Sequence, residues 1–418
     1  MRAPMKRDAA AFVCELLEGL ARFGAEEGGG VTRLLYSPEW LKAQHYLAEK
    51  MEGLGLDVYF DRVGNLIGRM EGTSSRDPVV LTGSHIDTVR FGGRYDGAYG
   101  IAASIAAVTY LQETYGQPVK TVEVVSFCEE EGSRFPLTYW GSGNMVGNYD
   151  WSNGEAVFDG DGVSLAEAMA AAGFGRPEQP AACRVDIGAF VEIHIEQGPV
   201  LEKQRKRIGI VETIVGQRRY AVKVQGASNH AGTTPMSLRR DALAGAAEMI
   251  LQLEADALLY GELLVATAGR IDCAPNAPNV VPGSVGFTVD VRHADEATLS
   301  DFCEMMLSKF KEMAQWRGLE LQIVPWLTAK PAPMHAGLSG MAERIAQDLS
   351  LPNRRMVSGA GHDAQLFSSL CPTALLFVPS QAGVSHSPDE YTSPEELADG
   401  VSVLAALLYE LAYEGKRS

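Results

Sequence analysis

The segment 77–111, "DPVVLTGSHIDTVRFGGRYDGAYGIAASIAAVTYL", predicts a strand, a polar loop and a helix in direct succession. The apolar run at its start is typical of a buried strand, and the alanine-rich run after Gly97 is typical of a buried helix. His85, Asp87 and Asp96 lie in the loop between these two core elements. Polar groups in such a position need partners, so the loop is a candidate functional site.

Strands alternate with helices on both sides of this segment. The stretches 58–72, 121–127 and 189–195 are predicted strands, and 100–116 is a predicted helix. Alternation of apolar strands with helices predicts an α/β fold whose mostly parallel sheet is covered by helices.

The order of predicted strands and helices changes between about residue 214 and residue 329. Here a strand that alternates polar and apolar residues, "RYAVKVQG", precedes a long amphipathic helix, two strands, a second helix and a last strand. The order β-α-β-β-α-β is that of a ferredoxin-like α+β unit. We therefore predict one α/β domain formed by residues 1–213 and 330–418, with a ferredoxin-like domain inserted at 214–329.

Charge and hydropathy exclude several classes of protein. The formal net charge of −17 opposes non-specific binding to nucleic acid, which depends on a basic surface. No stretch approaches the roughly 20 apolar residues of a membrane span, and the N-terminus lacks the apolar core of a signal peptide. We expect a cytoplasmic protein that binds neither membrane nor nucleic acid, with its six scattered cysteines as free thiols.

Three further segments place metal-binding side chains at or just after predicted strand ends. They are "FCEEEGSRF" with Glu129, Glu130 and Glu131, "VEIHIEQG" with His194, and "SQAGVSHSPDE" with His386. The carboxyl ends of strands in open α/β sheets border the crevice in which ligands bind. Carboxylates and imidazoles are ligands for divalent ions such as zinc and manganese. The four segments together therefore predict a metal site.

Each segment alone has a simpler interpretation. A single histidine is more often a hydrogen-bonded core residue, and a run of glutamates is more often a solvated surface. Glu129–Glu131, however, follow directly on an apolar strand, and His194 shares one strand face with Glu192 and Glu196. Such coincidences favour a shared site with two ions roughly 3.5–4 Å apart, a bridging carboxylate and a neighbouring carboxylate as general base.

The motifs "GSHIDTV", "GGRYDGAYG", "FCEEEGSRF", "VEIHIEQGPVLE", "SNHAGTTPM" and "SHSP" resemble, in the same order, the dinuclear-metal amidohydrolases of the aminoacylase/carboxypeptidase superfamily. The resemblance is strongest to the branch with allantoate amidohydrolase, N-carbamoyl-L-amino-acid hydrolase and β-ureidopropionase. It implies two divalent ions per subunit, manganese or zinc. His85, Asp96 and His194 would hold one ion, and Asp96, Glu131 and His386 the other. Glu130 would be the general base, and Asp87 would orient His85.

The resemblance also implies residues that bind substrate. Arginine suits a planar carboxylate because it can donate two parallel hydrogen bonds. Arg292 would anchor the substrate carboxylate with Asn279 beside it, Gln217, Arg218 and His230 would line the ureido side, and Ser358 and Gly359 would make close contacts. In relatives the counterpart of His230 reaches the partner's active site and stabilises the oxyanion. The inserted domain would then be a dimerisation and lid domain of a homodimer.

The expected reaction is hydrolysis of the ureido C–N bond of allantoate, a small anionic substrate, to ammonia, carbon dioxide and ureidoglycine. Stretches such as "GQRRYAVKV" and "SGAGHDAQ" favour this member of the branch. The alternative is hydrolysis of N-carbamoyl-L-amino acids by the same residues. Two other hypotheses are a metal-free binding protein on this fold and a thiol enzyme that uses Cys128, whose position at a strand end fits a core residue better.

Overall fold

The computed structural model describes residues 6–74, 76–261 and 263–413. The chain forms two compact units. Unit 1 comprises Met1–Glu212 and Pro333–Ser418, and unit 2 comprises Thr213–Ala332. The sequence predicts an inserted domain at 214–329, and unit 2 spans Thr213–Ala332.

The strands, in chain order, are β1 (Asp57–Phe60), β2 (Leu66–Met70), β3 (Val79–His85), β4 (Val122–Phe127), β5 (Ile187–Ile195), β6 (Ile208–Ile214), β7 (Gly216–Gln225), β8 (Asn229–His230), β9 (Val265–Ala274), β10 (Val280–Val281), β11 (Ser284–His293), β12 (Glu320–Ala329), β13 (Ala332–Pro333), β14 (Asn353–Ser358) and β15 (Thr373–Val378).

The helices are α1 (Lys6–Leu20), α2 (Pro38–Gly53), α3 (Ala98–Tyr115), α4 (Trp140–Met145), α5 (Leu165–Ala171), α6 (Val200–Lys203), α7 (Ala242–Leu259), α8 (Glu296–Trp316), α9 (Ala336–Asp348), α10 (Ala364–Phe367) and α11 (Pro394–Ala412). Short 3-10 turns cover Trp151–Ala156, Met236–Leu238 and Gln381–Gly383.

Within the described residues, unit 1 is built on a nine-stranded sheet in the order β1-β2-β4-β3-β5-β15-β6-β13, with β14 paired to β6. The central strands β4, β3, β5 and β15 are parallel, and antiparallel strands flank them. The four central strands are buried on both faces almost throughout, as expected for a helix-covered sheet. The predicted α/β architecture is confirmed.

The parallel strands end at the same edge of the sheet. His85 is the last residue of β3, and Cys128–Glu131 follow β4 directly. His194 is the penultimate residue of β5, and the loop after β15 leads to His386. The topology therefore brings together segments that are far apart in sequence.

Unit 2 contains an antiparallel sheet in the order β12-β7-β11-β9, with α7 and α8 packed on it. Burial alternates along β7 and β11, because one face contacts the helices and the other does not. Val222, Phe287 and Phe310 lie in the core that this packing creates. The predicted β-α-β-β-α-β order is present, and a two-stranded ribbon of β8 and β10 is added to it.

Two smaller expectations concern cysteines and membranes. None of the six cysteines, all in the described part of the chain, forms a disulfide. Among the described helices, none combines the length and the apolar composition needed to cross a membrane.

Gly100 lets α3 approach the sheet closely. A Cβ atom on Gly100 would lie 2.5 Å from the carbonyl oxygen of Ile193 and 2.6 Å from the Cβ of Ser84. Gly340 in α9 has no atom within 4 Å of the corresponding position. We predict that Gly100→Ala lowers the free energy of unfolding by about 1–3 kcal/mol, because the core is overpacked.

The matched substitution Gly340→Ala should raise stability by up to about 1 kcal/mol, since alanine is the better helix former. Thermal denaturation of both variants measures the two effects. A midpoint for Gly100→Ala equal to that of the wild type would contradict the close packing of α3.

Candidate metal centre

Metal-type side chains of unit 1 form three overlapping groups at the sheet edge. The groups are His85, Asp96 and His194, then His85, Glu130 and Glu131, and then Asp96, Glu131 and His386. Within each group the candidate ligand atoms all lie within 4.8 Å of one another. Shared members join the groups into one continuous centre, which could hold a metal ion. The structure thus places the five predicted ligands and Glu130 together.

Asp96 occupies the middle of the centre, and its two oxygens face different histidines. Oδ1 lies 3.1 Å from Nε2 of His194 and 3.6 Å from Nε2 of His85. Oδ2 lies 3.1 Å from Nε2 of His386, which is itself 3.4 Å from Oε1 of Glu131. A carboxylate whose oxygens point to separate ligand sets has the arrangement required of a bridge between two ions.

The backbone fixes the ring of His194. Its Nδ1 lies 2.9 Å from the carbonyl oxygen of Ile195, so Nδ1 carries the hydrogen and donates it. Its Nε2 accepts a hydrogen bond from the backbone N–H of Gly97 at 3.0 Å. Nε2 is then the unprotonated nitrogen, and it faces Oδ1 of Asp96, so Nε2 is the atom that could bind a metal ion.

Asp87 connects two of the ligand segments. Its Oδ1 lies 3.2 Å from Nδ1 of His85. The same carboxylate accepts the backbone N–H groups of Glu130 at 3.0 Å and Glu131 at 3.2 Å. Asp87 is placed to orient the imidazole, and it also holds the start of the loop that follows β4.

The centre concentrates negative charge away from solvent. The buried carboxylates of this region are Asp87, Asp96, Glu129, Glu130, Glu192, Asp363 and Glu390. Arg33 is a buried cation beside Asp87, and burial lowers the pKa of its guanidinium to about 10. A divalent cation would offset this excess of carboxylates.

The pKa values of the side chains reflect the same charge imbalance. Burial raises the pKa of Glu130 well above its ordinary value and that of Glu131 to about 7. Burial acts in the same direction on Asp96, but the adjacent imidazoles of His194, His386 and His85 hold the pKa of Asp96 well below its usual range. The hydrogen bond to Asp96 is the largest cause of the raised pKa of His386, about 9.

A metal ion fits the residues present. Among the described residues, Oε1 of Glu131 is buried without a hydrogen-bond partner, although it lies near His386. Such an oxygen is costly to bury unless it binds a cation or a donor. The mixed imidazole and carboxylate donors suit divalent transition metals.

In unit 2 the structure brings together Gln217 and Arg292, which are register partners on β7 and β11. Gln217 donates to Oδ2 of Asp290 at 2.6 Å, and Nε of Arg292 donates to Oδ1 of Asp290 at 3.0 Å. Arg219 also donates to this carboxylate, at 2.8 Å. Gln217, Arg219 and Arg292 therefore form one polar group on the sheet.

Arg218 is not part of this polar group. Successive residues of a strand point to opposite faces, so Arg218 points toward the helices. Its buried side chain donates to the carbonyl oxygen of Ala329 at 2.6 Å and to Glu296 at the start of α8. The resemblance places Arg218 with Gln217 on the ureido side, whereas in the structure Arg219, and not Arg218, shares a sheet face with Gln217.

The remaining predicted contacts lie in or beside short strands. His230 is exposed on the β8–β10 ribbon, and the backbone N–H of Ala231 donates to the carbonyl oxygen of Asn279 at 3.0 Å, so the ribbon holds both segments together. Ser358 ends β14 in unit 1, where its hydroxyl donates to the carbonyl oxygen of Ala360 at 2.7 Å, and Gly359 follows it.

Sequence reasoning missed several neighbours of the predicted ligands. Gln197 donates to Oδ2 of Asp96 at 3.0 Å, and the ring of His362 lies 4.6 Å from that of His194. Glu390 accepts the backbone N–H of Asp96 at 3.1 Å. The signals were present within "HIEQG", "SGAGHDAQ" and "SHSPDE", where polar residues flank the assigned ones.

Comparison with known proteins identifies the family of the chain. Residues 81–410 match the family described as Peptidase family M20/M25/M40. The chain belongs to this family. Among M20 relatives, the chain is 48% identical to allantoate amidohydrolase of Bacillus subtilis (strain 168), over 96% of this chain and 97% of that protein.

Two other M20 relatives show the range of similarity. The chain is 37% identical to N-carbamoyl-L-amino-acid amidohydrolase of Paenarthrobacter aurescens, over 94% of this chain and 95% of that protein. A crystal structure of a hydantoinase/carbamoylase family amidase from Burkholderia multivorans superposes with a TM-score of 0.92 at 34% identity. That comparison covers 97% of this chain and 98% of the other.

Asp87 offers a test of how this M20 centre is held. Asp87→Asn should weaken metal binding roughly 10- to 100-fold, because the amide nitrogen cannot accept the hydrogen bonds that orient His85 and the Glu130 loop. Competition with a metal chelator measures the affinity for Mn²⁺.

Asp61 provides the control, since its buried carboxylate also accepts two backbone N–H groups, from Val63 and Asn65, and lies outside the metal-ligand groups. Asp61→Asn should lower thermal stability and leave Mn²⁺ affinity unchanged. Equal affinities in the wild type and Asp87→Asn would show that Asp87 does not orient the ligands.

Proposed function

We propose that this M20 enzyme hydrolyses the ureido C–N bond of allantoate with two divalent ions per subunit, manganese or zinc. The observation that carries the proposal is the position of Asp96 between two ligand sets, with Glu130 buried beside them. The 48% identity to an allantoate amidohydrolase, against 37% to an N-carbamoyl-L-amino-acid amidohydrolase, supports the choice of substrate.

The proposed ligand sets follow the geometry. His85, Asp96 and His194 would hold one ion, and Asp96, Glu131 and His386 would hold the other. When bound, the ions would polarise the ureido carbonyl and lower the pKa of a water molecule. Zinc and manganese both suit these donors, and metal supply often decides between them.

Glu130 would act as general base and then as general acid. It takes a proton from the attacking water while the water oxygen bonds to the ureido carbon. It then gives this proton to the leaving nitrogen as the C–N bond breaks, which releases ureidoglycine and carbamate. Carbamate decomposes to ammonia and carbon dioxide. A buried carboxyl with a raised pKa suits both transfers, and Asp87 holds the backbone of Glu130 in place.

Unit 2 would bind the substrate carboxylate. Arg292, with Asn279, is the proposed anchor, and Gln217 and His230 would face the ureido group. We keep Ser358 and Gly359 of unit 1 as proposed contacts. Arg218 is committed to Ala329 and Glu296, so we assign it to holding β7 against α8.

Cys128 is an unsuitable nucleophile for the thiol hypothesis. It is completely buried, and burial raises the pKa of its thiol well above the ordinary value. A nucleophilic cysteine needs a lowered pKa and access to substrate. Cys128 therefore belongs to the core.

The test compares allantoate with N-carbamoyl-L-amino acids in the same assay. We expect a higher kcat/KM for allantoate. The variant Glu130→Gln should keep its metal and lose about 10²- to 10⁴-fold in kcat, because the amide cannot transfer the proton.

Three outcomes would contradict the proposal. A higher kcat/KM for an N-carbamoyl-L-amino acid would establish the alternative substrate. Unchanged turnover in Glu130→Gln would exclude Glu130 as the base. Failure to retain metal at saturating Mn²⁺ would favour a metal-free binding protein.

We also propose that the enzyme is a homodimer joined through unit 2. β9 is an edge strand of the sheet, and α7 beside it exposes leucines along one stripe. Leu251 is 66% exposed and Leu258 is 78% exposed. Edge strands and apolar surfaces of this kind favour pairing across a two-fold axis. In such a dimer His230 would complete the partner's active site.

Mixed dimers test this arrangement. Glu130→Gln and His230→Ala should each be nearly inactive alone. If His230 acts on the partner's site, mixing and exchanging subunits creates hybrids with one intact site, and activity should rise to about a quarter of the wild-type value. Mixtures that stay as inactive as the separate variants would place His230 in its own subunit's site, and normal activity of His230→Ala alone would place His230 outside catalysis.

A further inference from the structure

Glu390 joins two distant segments of the metal centre. The residue is only 4% exposed. Oε1 accepts the backbone N–H groups of Tyr95 at 2.8 Å and Asp96 at 3.1 Å. Oε2 accepts the hydroxyl of Ser385, the residue before His386, at 2.8 Å. One side chain therefore holds the backbone of the bridging carboxylate and the loop of a histidine ligand.

Gly93 leaves space for the carboxylate of Glu390. A Cβ atom on Gly93 would lie 2.1 Å from Oε1 of Glu390, so a larger residue at position 93 would displace it. Ser385 also approaches Oδ2 of Asp96, at 3.5 Å. The contacts of Glu390 thus converge on Asp96 and its neighbours.

The ligands differ in how firmly the fold holds them. His85 and His194 lie on the buried strands β3 and β5, and each ring has a further partner, Asp87 or the carbonyl oxygen of Ile195. His386 lies in the loop after β15, and its side chain is 49% exposed. The position of His386 therefore depends more strongly on the contact between Ser385 and Glu390.

We propose that Glu390 is a positioning residue that holds the His386 loop against Asp96 and thereby sets the affinity for the ion bound by Asp96, Glu131 and His386. This inference rests on the two-ion centre proposed above. The ion bound by His85, Asp96 and His194 depends less on Glu390, because two of its three ligands are fixed by strands and the Asp96 carboxylate also contacts both of their rings.

In the experiment, the metal-free full chain is titrated with Co²⁺. Calorimetry and the visible spectrum of the bound ion both measure Co²⁺ binding. The variants are Glu390→Ala, Glu390→Gln and Ser385→Ala. Glu390→Ala should weaken one of the two Co²⁺ sites roughly 10- to 100-fold and leave the other within a few-fold of the wild type. Glu390→Gln should weaken the same site less, because its amide oxygen can still accept the backbone N–H groups.

Ser385→Ala should affect the same site, because it removes the link to the His386 loop. If Glu390→Ala does not fold, Ser385→Ala still tests the contact between Glu390 and the His386 loop. Glu396→Gln is the matched control, since the Glu396 carboxylate likewise accepts a backbone N–H and a serine hydroxyl, both from Ser393. That contact caps α11, so the control should leave both Co²⁺ affinities unchanged.

The outcomes separate the two proposals. Wild-type protein that binds fewer than two Co²⁺ ions would overturn the two-ion centre itself. Wild-type protein that binds two ions, with both affinities unchanged or equally reduced in the Glu390 and Ser385 variants, would overturn the positioning role of Glu390 alone. Selective loss of one site in these variants, with no change in Glu396→Gln, would support it.

Discussion

The contact of one buried carboxylate with three imidazoles is the interaction on which the centre depends. Asp96 is almost completely buried, and its oxygens face His85, His194 and His386. A carboxylate in such a place is unfavourable without partners. The fold therefore has to deliver three ligands from distant segments to one point, and the arrangement of strands in unit 1 achieves this.

The start of α3 also helps to stabilise the buried carboxylates of the centre. The helix begins at Ala98, two residues after Asp96, and the positive end of its dipole lies beside the carboxylates. Gly97 gives its backbone N–H to His194, and the backbone groups of Glu130 and Glu131 are held by Asp87. Backbone groups of loops and helix ends are thus part of the centre, in addition to its side chains.

Local sequence patterns predict much of the fold around the metal centre. An apolar run, a polar loop and an alanine-rich run predict β3, the ligand loop and α3, because each element is decided by neighbouring residues. The same reasoning failed at 58–72, predicted as one strand, which forms the hairpin of β1 and β2 around a turn at 61–65. It also missed α2, although Ser37 caps this helix and Pro38 is its first residue, both of which are typical signals of a helix start.

The contacts that escaped prediction are those set by geometry across the chain. The alternation of residues along β7, which the family resemblance does not take into account, separates Arg218 from Arg219. Glu390 meets Asp96 across 294 positions, and no spacing rule connects them. The partners of a ligand can be recognised only when the fold has brought their segments together.

One backbone hydrogen bond shows how unit 2 is inserted into the chain of unit 1. The N–H of Met334 donates to the carbonyl oxygen of Glu212 at 2.9 Å, so the chain leaves unit 1 and returns to it at neighbouring points of a single ladder. A segment whose two ends already meet can be lengthened, shortened or exchanged at small entropic cost to the unit that carries it. The residues that gather the carboxylates and imidazoles all lie outside Thr213–Ala332. The inserted segment can therefore change in length without altering how unit 1 brings its ligand segments together.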